Sequence, residues 1–168
     1  MSQFKPLPPI QELQQAFAYD PATGVFRNKY SRGPRATQGN VAGTVNKKGY
    51  VVLTHKRRLL KASRLAWYLM TGVDPLELSV DHIDRNTINN AFSNLRLATT
   101  RQNQGNRLAK GWTRIGNRYQ VQIRIGGKQV HVGLYATPEE AHEVYVAKHI
   151  ELHGQFSPYC ATLTESNT

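Results

Sequence analysis

Strict alternation between polar and apolar residues over positions 118–125 limits the fold more than any other feature of this sequence. In RYQVQIRI, aromatic and aliphatic side chains take every second position, and arginine or glutamine takes the positions between them. A repeat of two residues is typical of a β-strand that buries one side, because successive side chains point to opposite faces of a sheet. Two glycines then precede KQVHVGLY, which alternates in the same way and places Val130, Val132 and Leu134 on its apolar side. The two segments predict an antiparallel hairpin with one buried face.

The segment after this hairpin begins with a strong helix-start signal. Thr137 suits the N-cap, Pro138 the first helical position and Glu140 the return contact of a capping box. We therefore expect three antiparallel strands packed on one helix over residues 110–157. Three histidines on this helix are expected to face solvent and to hold no metal, namely His142, His149 and His153.

The residues before this sheet carry a different pattern of short elements. IQELQQAF predicts a helix whose apolar repeat ends at Phe17, and VFRNK predicts a strand. AGTV, GYVVLTH and LLKA predict an antiparallel meander, and SRLAWYLMTG predicts a short buried helix that stops at Gly72. The fold class is therefore α+β, with an N-terminal domain over 1–107 and a sheet-plus-helix domain over 108–168.

Positive charge is concentrated in the first part of the chain. The net charge is +11, from 22 lysines and arginines against 11 acidic residues, and +8 of it falls within residues 1–60. An excess of this size favours a polyanionic partner, above all double-stranded DNA, although a basic surface also serves solubility. A loop broken by glycine and proline and the tip of a hairpin suit phosphate contacts, through Arg32, Arg35, Lys56, Arg57 and Arg58.

Cysteine content and hydropathy exclude several classes of protein. A single cysteine rules out an internal disulfide and a cysteine-rich zinc site. No apolar run approaches the length of a membrane span, and the N-terminus lacks the apolar core of a signal peptide. We expect a soluble cytoplasmic protein without a membrane partner, placed in the bacterial host cell if a phage encodes it. No obligate protein partner is evident, and both a monomer and a dimer stay open.

The polar stretch VDHIDRNTINNAFSNLRLATTRQNQGNR, residues 80–107, holds six of the eleven asparagines of the chain. Its order predicts a strand, a long loop, a second strand and the start of a helix. Asp81 and His82 are neighbours on the first strand, so their side chains point in opposite directions. Asn103, on the first turn of the helix, can close back as a second oxygen ligand beside Asp81. A carboxylate, an amide oxygen and waters suit Mg²⁺ or Mn²⁺ better than zinc.

Hydrolysis of a phosphodiester is the chemistry that these residue types favour. A neutral imidazole with an ordinary pKa of about 6.5 accepts a proton from water near physiological pH, which suits His82 as a general base. A metal held by Asp81 and Asn103 would neutralise the phosphate and stabilise the leaving oxygen. Asn94, at the end of the loop, is placed to hydrogen-bond across the loop and to fix the backbone that carries His82.

At these positions the sequence resembles the HNH endonucleases, in the His-Asn-Asn form of homing endonucleases from phages and introns. The resemblance covers residues 18–107 and includes the upstream segments YDPATGVF, AGTVNKKGYVVL and SRLAW, although relatives often have histidine at the serine of SRLAW. It implies a ββα-metal nuclease fold (a His-Me finger) and products with a 5′-phosphate and a 3′-hydroxyl. It also implies His82 as the base, Asn94 as the residue that positions it, and Asp81 and Asn103 as metal ligands. The matching residues are Asp81, His82, Asn89, Asn90, Asn94, Leu95 and Asn103.

The C-terminal segment KGWTRIGNRYQVQIRIGGKQVHVGLYATPEEAHEVY resembles the DNA-binding domain of plant ethylene-response factors, the APETALA type. In that family a three-stranded sheet lies in the DNA major groove, so the resemblance implies that the polar face of this sheet binds DNA. Long polar side chains suit base edges and phosphates, although the same row is also compatible with an ordinary solvent face. His131 stands where the plant domains usually carry tryptophan. The expected contacts are Arg114, Arg118, Gln120, Gln122, Arg124, Lys128, Gln129 and His131.

These features predict a site-specific DNA endonuclease of the homing type, in which one module cuts and the other selects the site. The alternative is a DNA-binding regulator with a catalytically inactive HNH fold. RNA binding by the basic sheet is a weaker third interpretation, because its polar face offers no stacked aromatic platform. The sequence leaves open the target site, nicking or double-strand cleavage, and an intron-encoded or freestanding gene.

Overall fold

The computed structural model describes residues 5–34 and 36–160. The chain divides into two compact units, Met1–Thr100 and Arg101–Thr168. Helices and antiparallel sheets occur in both, so the expected α+β class is confirmed. No helix within the described residues has the length and apolar character needed to cross a bilayer.

The first unit consists of two helices and three small antiparallel sheets, with strand orders β1-β2, β3-β4-β5 and β6-β7. A one-turn 3₁₀ helix at Phe92–Asn94 leads into the last strand. The elements are α1 (Ile10–Ala16), β1 (Phe17–Tyr19), β2 (Phe26–Asn28), β3 (Thr44–Val45), β4 (Val51–His55), β5 (Arg58–Lys61), α2 (Ala62–Thr71), β6 (Ser79–His82) and β7 (Leu95–Ala98).

Phe17 belongs to a strand and not to the first helix, contrary to the sequence prediction. Its backbone is extended, with φ −132° and ψ 141°, and it pairs with Asn28 across β1 and β2. The ring packs edge-on against Phe26 in the core of this unit. The apolar spacing suggested a longer helix because Leu13 of α1 and Phe17 of β1 both pack into the same core.

The second helix ends where the sequence predicts. Gly72 adopts a left-handed conformation with φ 75°, and its N–H donates to Tyr68 O, which is a common helix stop. Just beyond it, Asp74 accepts hydrogen bonds from the Arg64 guanidinium and from the backbone N–H of Leu7. Burial acts to raise the pKa of Asp74, but these hydrogen bonds more than offset burial and leave the pKa below its ordinary value.

A short helix, α3 (Thr100–Gly105), precedes the sheet of the second unit. That sheet has the order β10-β9-β8, formed by β8 (Trp112–Ile115), β9 (Arg118–Ile125) and β10 (Lys128–Tyr135), and helix α4 (Pro138–His153) follows. Thr137 Oγ1 accepts the N–H of Glu140 at 3.1 Å, so the predicted N-cap is confirmed. Val121, Ile123, Ala141 and Tyr145 form the buried centre between sheet and helix.

The apolar face predicted for β10 is wrong at both ends, because Val130 is 40% exposed and Leu134 lies beyond a shift in the pairing. The pairing with β9 shifts between His131 and Gly133, so that Leu134 lies opposite Gln120 and is 45% exposed. A β-bulge inserts one residue into one strand, which moves every later side chain to the other face. Tyr135 packs into the core in place of Leu134.

The expectation that the histidines of α4 face solvent is wrong for His149. Its side chain is buried at 5% exposure, and its Nδ1 lies 2.9 Å from Ser157 Oγ. The ring packs against Tyr145 and Tyr159. Burial lowers the pKa of His149 to about 4, with a smaller contribution from the neighbouring His153, so the ring is neutral near physiological pH.

Candidate active site

The two strands β6 and β7 place Asp81 and His82 at the buried end of a small ladder. The register pairs Asp81 with Arg96 and His82 with Leu95. Asp81 is 6% exposed, and its Oδ2 accepts from both Nε and Nη2 of Arg96 at 2.9 Å. A carboxylate is costly to bury unless a cation pairs with it, so the cross-strand arginine compensates the burial of Asp81.

The imidazole of His82 is buried, at 3% exposure, and is oriented by an asparagine. Its Nε2 lies 3.2 Å from Asn90 Oδ1, while Asn90 Nδ2 donates to Ile88 O. Because the amide oxygen therefore faces the ring, Nε2 carries the proton and Nδ1 is the basic nitrogen. Burial lowers the pKa of His82 below its ordinary value, which keeps the ring neutral and able to accept a proton.

Asn90 is itself held from two sides by distant residues. The Tyr19 hydroxyl donates to Asn90 O at 2.7 Å. Gly24 lies directly behind, with φ +73°, and a Cβ there would collide with the backbone of Asn90 and Ala91. The early β1–β2 hairpin therefore buttresses the amide that orients His82.

The loop between β6 and β7 is organised around Asp84. Its two carboxylate oxygens accept from Asn94 Nδ2 at 2.8 Å, from Asn89 Nδ2 at 2.7 Å and from the backbone N–H of Asn86 at 2.8 Å. Burial acts to raise the pKa of Asp84, and these hydrogen bonds more than offset it, so the pKa lies below the ordinary value. The asparagines thus satisfy the exposed Asp84 carboxylate and the turns around it.

Asn94 contacts the backbone immediately after His82 and not the imidazole. Its Oδ1 accepts the N–H of Asp84 at 2.9 Å, and its backbone oxygen accepts the N–H of Ile83 at 2.9 Å. The contact across the loop that the sequence suggested is therefore present. The direct partner of the ring is Asn90, to which sequence reasoning gave no role.

Known proteins match this region of the chain. A family model described as HNH endonuclease matches residues 60–104. "Uncharacterized HNH endonuclease L560" of Acanthamoeba polyphaga mimivirus is 32% identical over 118 residues, which are 67% of this chain and 63% of that protein. "Protein 3.8" of Escherichia phage T7 is 30% identical over 103 residues, which are 55% of this chain and 84% of that protein.

Residues 60–104 of this chain therefore form an HNH endonuclease domain. The match with the family model includes Asp81, His82, Asn94 and Asn103. The chain spans less than two thirds of the mimivirus relative, and no solved structure matches it.

The HNH region has the donor types for a hard divalent cation. Asp81 offers carboxylate oxygens and Asn103, on α3, an amide oxygen, which together with water and substrate phosphate are the ligands that Mg²⁺ accepts. Within the described residues, no group of three or more His, Cys, Asp or Glu side chains is placed to hold a metal. The Asp81 carboxylate suits an ion that completes its coordination with waters and substrate, and Arg96 would share that carboxylate with it.

Two further residues of the first unit, Tyr50 and Lys61, lie in the surroundings of His82, and no sequence pattern predicted their place there. The Tyr50 ring lies 6.2 Å from the His82 ring, and Lys61 Nζ lies 4.7 Å above Tyr50. Thr87 of the asparagine-rich loop donates to Gly49 O at 2.8 Å, which ties the turn before Tyr50 to that loop. The contacts of Tyr50 with His82 and of Thr87 with Gly49 join residues more than thirty positions apart, so no local pattern reveals them.

Several predicted DNA contacts of the first unit are also held by protein groups. Arg32 donates to Thr54 O at 2.9 Å and to Asn28 Oδ1 at 2.6 Å, and its guanidinium stacks on Phe17. Arg35 lies outside the described residues. Lys56 pairs with Glu12 at 2.8 Å, Arg58 donates to Pro6 O at 2.7 Å, and Arg57 is exposed at the turn.

The predicted DNA-binding row of the second unit is partly cross-linked by its own side chains. Gln120 contacts His131 Nδ1 at 3.1 Å, and Gln129 donates to Gln122 Oε1 at 2.5 Å. Arg114 donates to the carbonyl of Gly116. The remaining members are exposed cations at strand ends and in β9, namely Arg118, Arg124 and Lys128.

Proposed function

We propose that this chain is a site-specific DNA endonuclease of the homing type, which hydrolyses a phosphodiester with His82 as general base. The observation that carries the proposal is the buried imidazole, oriented by Asn90 and adjacent to the Asp81 carboxylate. The match of residues 60–104 with the HNH endonuclease family supports the same chemistry.

In the proposed reaction His82 Nδ1 removes a proton from the attacking water. The hydrogen bond to Asn90 fixes the tautomer and spreads the positive charge that forms on the ring. Asn94 and Asp84 hold the backbone after His82, so the ring does not have to reorganise during the step. Bound Mg²⁺ or Mn²⁺, held by Asp81 and Asn103, would supply charge neutralisation at the scissile phosphate and at the leaving oxygen.

The second unit is proposed to select the site. A three-stranded antiparallel sheet with one helix behind it agrees with the resemblance to the APETALA-type domain. Arg118 and Gln122 lie on the outer side of β9, where side chains of this length reach bases and phosphates. In this proposal the cations of the first unit, Arg32, Arg35 and Lys56–Arg58, hold the DNA backbone around the cut.

His82→Ala tests the chemistry. We expect cleavage of supercoiled plasmid with Mg²⁺ to fall by about 10³-fold or more, while the affinity for DNA in EDTA stays within about twofold, because the buried ring is not a surface contact. A wild-type protein that binds DNA and does not cut it with Mg²⁺ or Mn²⁺ would favour the inactive regulator. Full cutting by the variant would show that another residue is the base.

A further inference from the structure

The second unit contains a cavity of about 430 Å³ that has no part in the proposed chemistry. It lies between the end of β9, the helix α4 and the side of α3 that carries Arg101 and Gln104. Ligand sites in proteins occupy about 300–1,000 Å³, so this volume accommodates a phosphate group together with an attached sugar or base.

Apart from the Tyr145 phenol, the ionisable groups that line this cavity are all basic. Arg101 and Arg124 carry permanent positive charge, His149 and His153 come from adjacent turns of α4, and the lining contains no aspartate or glutamate. Within the described residues no carboxylate pairs with either arginine. Like charges that converge without a counter-ion repel one another, and an anion placed between them removes that cost.

The two histidines of the cavity lie in the same basic surroundings. Burial lowers the pKa of His153, and the charge of Arg101 lowers it further. His149 is buried below it, with the two rings 4.3 Å apart. A bound anion would offset the charge of Arg101, so His153 would then hold a proton to a higher pH.

The walls of the cavity are shaped by glycine at two places. Gly105 has the His153 ring against it, and a Cβ there would lie 2.8 Å from His153 Nδ1. Gly126 and Gly127, in the β9–β10 turn, adopt φ of 59° and 84°, and no atom lies within 4 Å of a Cβ built on either. The cavity is therefore open at the turn and closed by the His153 imidazole of α4, which lies against Gly105 of α3.

We propose that this cavity binds a phosphate group, with Arg101 and Arg124 on its oxygens and His153 as a third donor. Guanidinium groups are the preferred partners of phosphate because they form charge-assisted, paired hydrogen bonds. The phosphate can belong to a nucleic-acid backbone or to a free nucleotide, and both present the same oxygens. Phosphate binding at this cavity can be measured directly, without any measurement of cleavage.

Histidine ring NMR on the full-length chain, at low ionic strength, tests the site with inorganic phosphate, deoxyadenosine 5′-monophosphate and a short DNA duplex as probes. We expect saturable shifts of the His153 ring signals and a higher titration midpoint of His153 with phosphate. If the duplex gives the same shifts and phosphate competes with it, the source is the DNA backbone. If only the mononucleotide and phosphate shift the ring, the source is a free nucleotide.

The double substitution Arg101→Gln with Arg124→Gln is expected to weaken phosphate binding by about tenfold or more. Arg118→Gln with Lys128→Gln removes the same charge from the same sheet outside the cavity and is the matched control, with a change of less than about twofold. His153→Asn keeps both arginines, and we expect a loss of about threefold, measured by calorimetry because the reporter ring is gone. The proposal is overturned if none of the three probes shifts His153 saturably, or if the cavity and control variants weaken binding equally.

Discussion

The polar residues of the two units are arranged in opposite ways. In the first unit the Asp84 carboxylate is surrounded by three asparagines, and His82 has its own amide partner in Asn90. In the second unit Arg101 and Arg124 converge on a cavity whose lining has no carboxylate. Internal hydrogen bonds fix groups that must hold one geometry during a reaction. Cations without internal partners suit a surface that receives its counter-charge from a ligand.

The largest effect expected from this comparison concerns Asn90. Asn90→Ala removes the group that fixes the tautomer of His82, and we expect kcat for plasmid cleavage to fall by roughly a hundredfold to a thousandfold. Binding of DNA should change little, because Asn90 is buried at 2% exposure.

Asn86→Ala is the matched control, since Asn86 lies in the same loop and its side chain contacts Ile88 N. We expect kcat to fall by less than about threefold in this variant. Equal losses of kcat in the two variants would mean that Asn90 only shapes the loop. The difference between the two units would then have no bearing on catalysis.

A second expected effect tests whether the close approach of Gly24 holds the backbone of Asn90 in place. Gly24→Ala places a Cβ against the backbone of Asn90 and Ala91 at a positive φ. We expect the free energy of unfolding to fall by about 3 kcal/mol, from the collision and the backbone strain together. Gly39→Ala, also at positive φ but with open space around it, should cost only about 1 kcal/mol. Urea denaturation of both variants measures the difference, and similar losses would argue against the buttress.

The smallest effect concerns His149 in the second unit, which is buried without charge. Its pKa of about 4 lies below the ordinary value, so the unfolded chain binds a proton that the folded chain does not. The stability that follows is fully present above about pH 6.5 and is lost as the pH falls toward about 4. Between about pH 7 and pH 4.5 the loss should amount to about 2 kcal/mol.

His149→Gln keeps a hydrogen-bonding group near Ser157 and has no charge to gain. Urea denaturation across this pH range should therefore show a flatter profile for the variant than for the wild type. Parallel profiles would mean that the buried ring is not what makes the second unit sensitive to acid.

Local patterns predicted most of the secondary structure. The alternation of 118–125 gave a strand, and Thr137 and Gly72 marked a helix start and a helix end where the structure has them. The order of strand, loop, strand and helix around the asparagine-rich segment is also present in β6, β7 and α3. These features depend on residues that are neighbours in the chain, so their spacing is visible without the fold.

Contacts between distant segments were not predictable in this way. The bulge in β10 exposes Leu134 although its place in the alternation marked it as buried. His149 is buried because Ser157 and Tyr159 fold back over α4, and Asn90 is in place because Tyr19 and Gly24 hold it. Nothing adjacent to these residues in the chain carries that information.

The sequence by itself determined the resemblance of residues 60–104 to HNH endonucleases, the kinds of side chain at the candidate centre and the order of elements that carries them. Only the tertiary structure decided that Asn90 and not Asn94 touches the imidazole, that Arg96 compensates Asp81, and that basic side chains meet around a cavity. The physical reason is that side-chain type and spacing are properties of a short segment, whereas partners, burial and pKa depend on which distant segments the packing brings together.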